Sequence, residues 1–257
     1  MQLVVLGSGT AIPVADRFPA GYLLRHGDER LLVDCGPGIT RRLAQAGESL
    51  CQLSAVLFTH YHTDHCADLA ALLFALRSPT FAGRPPLSLY GAPGLQRLLD
   101  RLTEAWPWLA PRGYELRVHE LAPGHFAVGT LHGQAVPIRH TAQSLGYRFT
   151  DQVGASVAFA GDADECDELV ELARDADLFV CEAATPDGMK LDGHLTPRLT
   201  AGYAQRAKAR RLLLTHFYPE CDGHDLRLAA AEVFTGPIGL AQDLTTYPIA
   251  PGPAAEG

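Results

Sequence analysis

The sequence predicts an α/β fold built from mixed sheets. Three observations carry this reading. Strand-length apolar runs alternate with helical patterns along nearly the whole chain, neighbouring runs are joined here by a turn and there by a helix, and 47% of the 257 residues are apolar. Hairpins and βα units together do not suit an all-parallel sheet. A chain of this size and apolar content can bury one large core.

Strand-like runs occur at Gln2–Leu6, Gly21–Arg25, Arg30–Asp34, Ala55–Thr59, Leu87–Tyr90, Leu116–Leu121, Ala135–Ile138, Leu145–Thr150, Val157–Ala160, Leu178–Glu182 and Arg211–Thr215. Helical periodicity falls between them at Ile39–Ala46, Ala67–Arg77, Gly94–Trp106, Glu165–Arg174, Pro197–Ala207 and Leu226–Phe234. Pro85-Pro86 and Ala92-Pro93-Gly94 read as turns, with no linker-like change of composition around them. A single domain over residues 1–250 is therefore expected, followed by a disordered Pro/Gly/Ala tail at 251–257. The segment Phe74 to Pro86 and the cluster Trp106-Pro107-Trp108 are candidates for a substrate wall or a homodimer surface, against the commoner fate of tryptophan in the core.

The densest chemistry is Thr59-His60-Tyr61-His62-Thr63-Asp64-His65, three imidazoles and a carboxylate in six residues. In a strand His60, His62 and Asp64 share a face; in a helix His62 and His65 do. The run follows the buried strand Ala55-Val56-Leu57-Phe58 and precedes a helix, so it falls on a loop whose two ends are packed. Imidazole and carboxylate together favour zinc or a neighbouring first-row metal. A histidine-rich surface turn is the bland alternative.

At these residues the chain resembles the metallo-β-lactamase superfamily, whose His-x-His-x-Asp-His signature is matched by His60, His62, Asp64 and His65. The later ligands of that superfamily are matched in order by His140 in Val136-Pro137-Ile138-Arg139-His140, Asp162 in Phe159-Ala160-Gly161-Asp162, and His216 in Leu212-Leu213-Leu214-Thr215-His216. The resemblance implies a four-layered αββα sandwich with two mixed β-sheets and the ligands on loops along one edge. It also implies two divalent ions, zinc first, with manganese and iron as competitors. His60, His62 and His140 would hold one ion, Asp64, His65 and His216 the other, and Asp162 with a hydroxide would bridge them. Asp34, after Leu31-Leu32-Val33, resembles a buried aspartate that supports the metal loop through hydrogen bonds. Cys66 is a candidate ligand only in principle, because the set is complete without it. His62 stands where di-iron redox members carry glutamate, which disfavours that chemistry.

Three further segments resemble the ribonuclease Z-like branch: Leu3-Val4-Val5-Leu6-Gly7-Ser8-Gly9-Thr10, Glu182-Ala183-Ala184-Thr185 and His194-Leu195-Thr196. The resemblance makes Asp64, His194 and Glu182 the catalytic residues, with Glu182 orienting His194 to stabilise or protonate the departing oxygen. A carboxylate fixes the tautomer of its imidazole and raises its basicity, which suits a general acid. Two departures separate the chain from tRNA-processing enzymes. Only fourteen residues, Arg148 to Gly161, separate Tyr147 from Asp162, so the tRNA-gripping arm is missing. In the loop after the glycine turn Pro13 and Arg17 remain, but Ala15 stands where lysine is expected.

Charge points the same way. There are 21 basic and 29 acidic residues, net −8, which repels long polyanions. The basic strip Arg206, Lys208, Arg210 and Arg211 reads as a helix end before a strand. Met-Gln-Leu-Val-Val-Leu-Gly is too short and strand-like for a signal peptide, and no apolar run approaches the roughly 20 residues of a spanning helix. A cytoplasmic protein without a membrane partner is expected. Cys35, Cys51, Cys66, Cys166, Cys181 and Cys221 contain no Cys-x-x-Cys pair and read as reduced, mostly buried thiols. His224 has no motif position, and its Asp222-Gly223 context suggests an exposed turn.

Together these features imply a dinuclear metal hydrolase acting on a small or cyclic phosphodiester. The alternatives are an acyl hydrolase, lactonase or thioesterase on the same metals, a tRNA 3′-end endonuclease, and a binding module in which metals only order the loops.

Overall fold

Parallel strands joined through helices leave all their carboxyl ends on one edge of a sheet, and this chain uses that arrangement twice. The computed structural model describes residues 1–252. Two compact units are present: Gln2–Ala122 with Gln242–Thr246, and Pro123–Ala241 with Met1 and the chain from Tyr247.

In the N-terminal unit β1 (Gln2–Gly7), β2 (Gly21–His26) and β3 (Glu29–Val33) form antiparallel pairs; β4 (Ala55–Leu57), β5 (Leu87–Gly91) and β6 (Leu116–Glu120) continue in parallel from β3. Helices α1 (Ile39–Gln45), α2 (Thr63–Cys66), α3 (Asp68–Ala75) and α4 (Leu95–Ala105) lie between these strands in sequence. Ile39 and Leu43 of α1, Leu69 and Leu72 of α3, and Leu95 and Leu99 of α4 bury their stripes with Leu23, Leu32, Val56 and Phe58 in one core cluster. Spacings of three and four residues place each pair on one helix face.

In the C-terminal unit β7 (Gly124–Val128), β8 (Leu131–Pro137), β9 (Leu145–Thr150) and β10 (Ser156–Phe159) are antiparallel in turn; β11 (Leu178–Glu182), β12 (Leu212–Thr215) and β13 (Ile238–Leu240) follow in parallel. The helices are α5 (Glu168–Ala173), α6 (Pro197–Arg206) and α7 (Leu226–Ala231). Tyr147, Phe149, Phe159 and Phe179 are fully buried, as are the small Ala201 and Ala204 of α6. The turn at 151–155 joins β9 directly to β10, closed by Asp151 N–H donating to the Ala155 carbonyl at 3.0 Å.

The α/β class with two mixed sheets is thus observed, each sheet having seven strands with β14 (Thr246–Pro248) at the edge of the first. All six expected helices form, one to three residues shorter at some ends, and the eleven expected strands are present. Three strands escape sequence reading. β13 and β14 are too short to show a period, and β7 is an edge strand in which only Val128 is buried. α2 is the other addition, inside the histidine-rich segment.

Trp106 and Trp108 do not enter the core. They are 49% and 60% exposed, Phe74 is 58% exposed, and the Arg77 guanidinium donates to the Trp108 carbonyl. At the other end Gly252 N–H donates to Asp177 Oδ1 at 2.7 Å, and the rest of the expected tail lies outside the described residues. Among the described residues no helix is long and apolar enough to cross a membrane.

Candidate metal centre

The N-terminal unit places four of the expected site residues after the carboxyl end of β4, and Asp34 after the end of the neighbouring β3. Leu57 ends β4, and Phe58 and Thr59 lead into His60. Asp34 follows β3 with φ of 60°, a left-handed conformation that aspartate tolerates better than most residues. It is fully buried, and its carboxylate gathers the histidine-rich loop: Oδ1 accepts from Thr59 N–H, while Oδ2 accepts from Thr59 Oγ1 and from His65 Nδ1, each at 2.8 Å. Asp34 therefore supports the loop through hydrogen bonds, as the resemblance implies.

Because His65 Nδ1 donates to Asp34, the lone pair of the neutral ring is on Nε2, and that atom stands 3.8 Å from Asp64 Oδ2. Two acceptors set toward each other suit a cation held with them. The His60 ring lies 4.6 Å from His62 and 4.1 Å from His65, centre to centre. His60, Asp64 and His65 are buried, and His62 is exposed at the start of α2. α2 comes this close because residue 36 is glycine. A Cβ there would stand 2.0 Å from the Asp64 carbonyl oxygen. Cys66 points its thiol at the Tyr61 carbonyl, 3.4 Å away, and burial pushes the thiol up to about 11, which disfavours the thiolate a ligand requires. A cavity of about 320 Å³ adjoins Asp64, walled by Pro13, Val14, Phe18 and Pro37 with Arg17 as its cation.

The C-terminal unit gathers the other five residues. His140 follows β8, Asp162 follows β10, Glu182 ends β11, and His216 follows β12 with φ of 55°. His194 is carried by the loop from β11 to α6. His140 Nδ1 donates to the Gly193 carbonyl at 2.8 Å, which again makes Nε2 the lone-pair nitrogen, and this atom is 3.8 Å from Asp162 Oδ2. The second carboxylate oxygen, Oδ1, is 3.4 Å from His216 Nε2. Asp162, His194 and His216 each offer a donor atom within 4.8 Å of one another. The Nδ1 atom of His194 is taken up by Glu182 Oε2 at 2.9 Å, while Glu182 Oε1 accepts from Ala163 N–H at 2.5 Å. Burial, and after it the negative charge of Asp162, pushes the Glu182 carboxyl up; His216 pulls the other way.

Sequence reading missed several neighbours. The Tyr218 ring meets His194 and His216 edge-on at 5.7 and 5.9 Å. Asp164 binds Lys190 Nζ at 2.8 Å and Gly193 N–H at 3.1 Å. Burial raises the Asp164 carboxyl, but Lys190 and the N–H groups of Glu165 and Gly193 outweigh it and bring it down to about 2. The only sequence signal for Asp164 is its place two residues after Asp162. His224 lines a separate cavity of about 340 Å³ with Pro186, Asp187, Met189 and Leu226.

Comparison with known proteins places this geometry in context. The Beta-lactamase superfamily domain matches residues 29–217. Ribonuclease Z of Mycobacterium bovis (strain BCG / Pasteur 1173P2) is 31% identical, with 98% of this chain and 99% of the relative covered. The metallo-beta-lactamase fold protein YhfI of Bacillus subtilis superposes with a TM-score of 0.83 at 26% identity, covering 96% of this chain and 98% of its own. The short form of human tRNase Z superposes with a TM-score of 0.80, also at 26% identity, over 97% of this chain and all of its own.

Proposed function

Because the chain belongs to the metallo-β-lactamase superfamily, in its ribonuclease Z-like branch of metal-dependent hydrolases, we propose that it hydrolyses a small or cyclic phosphodiester. The observation that carries the reading is the Glu182–His194 pair set beside Asp162. The resemblance assigns His60, His62 and His140 to one ion, Asp64, His65 and His216 to a second, and Asp162 to both. The donor chemistry fits. In each unit an imidazole has its Nδ1 committed to a hydrogen bond and its lone-pair Nε2 set 3.8 Å from a carboxylate oxygen. When bound, two divalent ions polarise the phosphoryl oxygens and lower the pKa of water toward neutrality.

The chain's own groups supply the rest. With Nδ1 donated to Glu182, a protonated His194 presents Nε2–H, and this proton goes to the departing alkoxide oxygen as the P–O bond breaks. Against the burial that raises it, the Ala163 N–H on Oε1 and the nearby His216 favour the ionised Glu182 that balances a positive ring. Thr200 Oγ1 donates to the Glu182 carbonyl at 2.6 Å and holds the end of β11 in place. The cavity beside Asp64 suits an apolar group of the substrate, with Arg17 for its negative charge.

Small substrates are favoured over tRNA by the direct turn at 151–155 and by the net charge of −8. A tRNA 3′-end endonuclease is the second reading, favoured by the match to Ribonuclease Z over nearly all of both chains. Turnover of a 2′,3′-cyclic nucleotide, an arylphosphodiester and a precursor tRNA at physiological salt separates them. A kcat/KM for precursor tRNA above that of both small diesters replaces the proposal with the second reading.

A further inference from the structure

Gly193 directly precedes His194, and both sides of its peptide are gripped. Its N–H donates to Asp164 Oδ2 at 3.1 Å, and its carbonyl accepts from His140 Nδ1 at 2.8 Å. Asp164 is fixed in turn, because its own N–H donates to the Arg139 carbonyl at 2.6 Å. A closed hydrogen-bonded ring therefore runs from Arg139-His140 through Asp164 to Gly193 and back to His140. Lys190, on the same loop as Gly193, closes it from outside, with Nζ 2.8 Å from Asp164 Oδ1 and 3.3 Å from the Leu191 carbonyl. Gly193 meets the ring's geometry with φ of 82°, and a Cβ there would lie 3.3 Å from His140 Nδ1.

We propose that Asp164 and Lys190 are positioning residues, a clasp that fixes the Gly193 peptide so that His194 is aimed at the departing oxygen and His140 is held in one tautomer. This rests on the reading of His194 as the general acid. Neither residue touches substrate in this account; both act through Gly193. The bond to Glu182 fixes the His194 ring at Nδ1 but not where its backbone stands. The His194 N–H donates to the Leu191 carbonyl at 3.2 Å and the Leu195 carbonyl accepts from Ala184 N–H at 2.9 Å; the Gly193 peptide is what ties this loop to His140 and to Asp164. Proton transfer requires hydrogen-bond reach, and a misplacement of about 1 Å is enough to cost roughly 100-fold in rate.

The test uses Lys190→Met, which removes a partly exposed surface cation, and Asp164→Ala, each reconstituted with metal beside wild type, Lys190→Arg and His194→Ala. On an alkyl phosphodiester, whose leaving group needs a proton, Lys190→Met and Asp164→Ala are expected to lose roughly 10- to 100-fold in kcat with little change in KM. On a nitrophenyl diester they should lose far less, and Lys190→Arg should retain most of the activity. Hydrogen exchange at the Gly193 amide supplies a readout independent of chemistry, and it should accelerate in both loss variants. Unchanged protection of that amide, or equal losses on the two substrates, overturns the clasp. If His194→Ala itself shows no dependence on the leaving group, the acid reading fails and the aiming role falls with it, even where Gly193 exchange has accelerated.

Discussion

His194 Nδ1 stands 2.9 Å from Glu182 Oε2, joining a carboxylate whose side chain is 0% exposed to an imidazole that is 13% exposed. The carboxylate is shielded from water, and the ring it orients can still meet a substrate. That asymmetry is what a general acid needs: its geometry is set from inside and its proton is delivered outward.

His194→Ala should keep its metals and its fold, because His194 is assigned to neither ion and lies on a loop. Turnover of an alkyl phosphodiester should fall by roughly two to four orders of magnitude, and that of a nitrophenyl diester much less. Steady-state kinetics on both substrates measures the difference. Equal losses would make His194 a substrate- or metal-positioning group.

Asp162→Ala removes the carboxylate whose two oxygens face His140 and His216 at 3.8 and 3.4 Å. On the proposed two-ion assignment, the cations would then repel with no anion between them. At least one metal and nearly all turnover should be lost while the fold persists, since β10 ends before this residue. Elemental analysis beside circular dichroism checks it; full metal content with full activity would remove Asp162 from the ligand set.

Asp34→Ala leaves Thr59 and His65 without the acceptor of three buried hydrogen bonds. A loss of at least about 2 kcal/mol is expected from the unsatisfied donors. Metal affinity should weaken roughly 10- to 100-fold as His65 loses its orientation. Asp34→Asn keeps one acceptor oxygen and tolerates the left-handed backbone, so it should sit between. Thermal melts and metal titration of the three proteins give the order.

Gly36→Ala is expected to destabilise by roughly 1–3 kcal/mol, because its Cβ meets the backbone carbonyl of Asp64, which cannot swing away as a side chain can. A melt unchanged from wild type would mean that α2 packs less closely than the structure has it.

The site was legible in the sequence where its chemistry is local. His60, His62, Asp64 and His65 lie within six residues, and imidazole beside carboxylate at that density speaks for itself. His140, Asp162 and His216 are scattered, and only the family's order of motifs pointed to them. The left-handed backbone at Asp34 and His216 left no trace in composition, since neither residue is a glycine. The clasp was invisible for another reason: Asp164 and Lys190 are 26 residues apart and meet only once β11 and its loop have folded. Helices are legible because their apolar stripes repeat, whereas β7 buries only Val128 and β13 and β14 lack length. Trp106 and Trp108 show the limit of residue type as a guide to burial.

The most direct measurement is the rate of the wild-type protein on an arylphosphodiester and on a lactone, each before chelation, after chelation and after return of zinc or manganese. Phosphodiester turnover is expected to disappear with the metal, return with it, and exceed that of the lactone in kcat/KM. A preference for the lactone, or phosphodiester turnover that survives full removal of metal, would contradict the proposal.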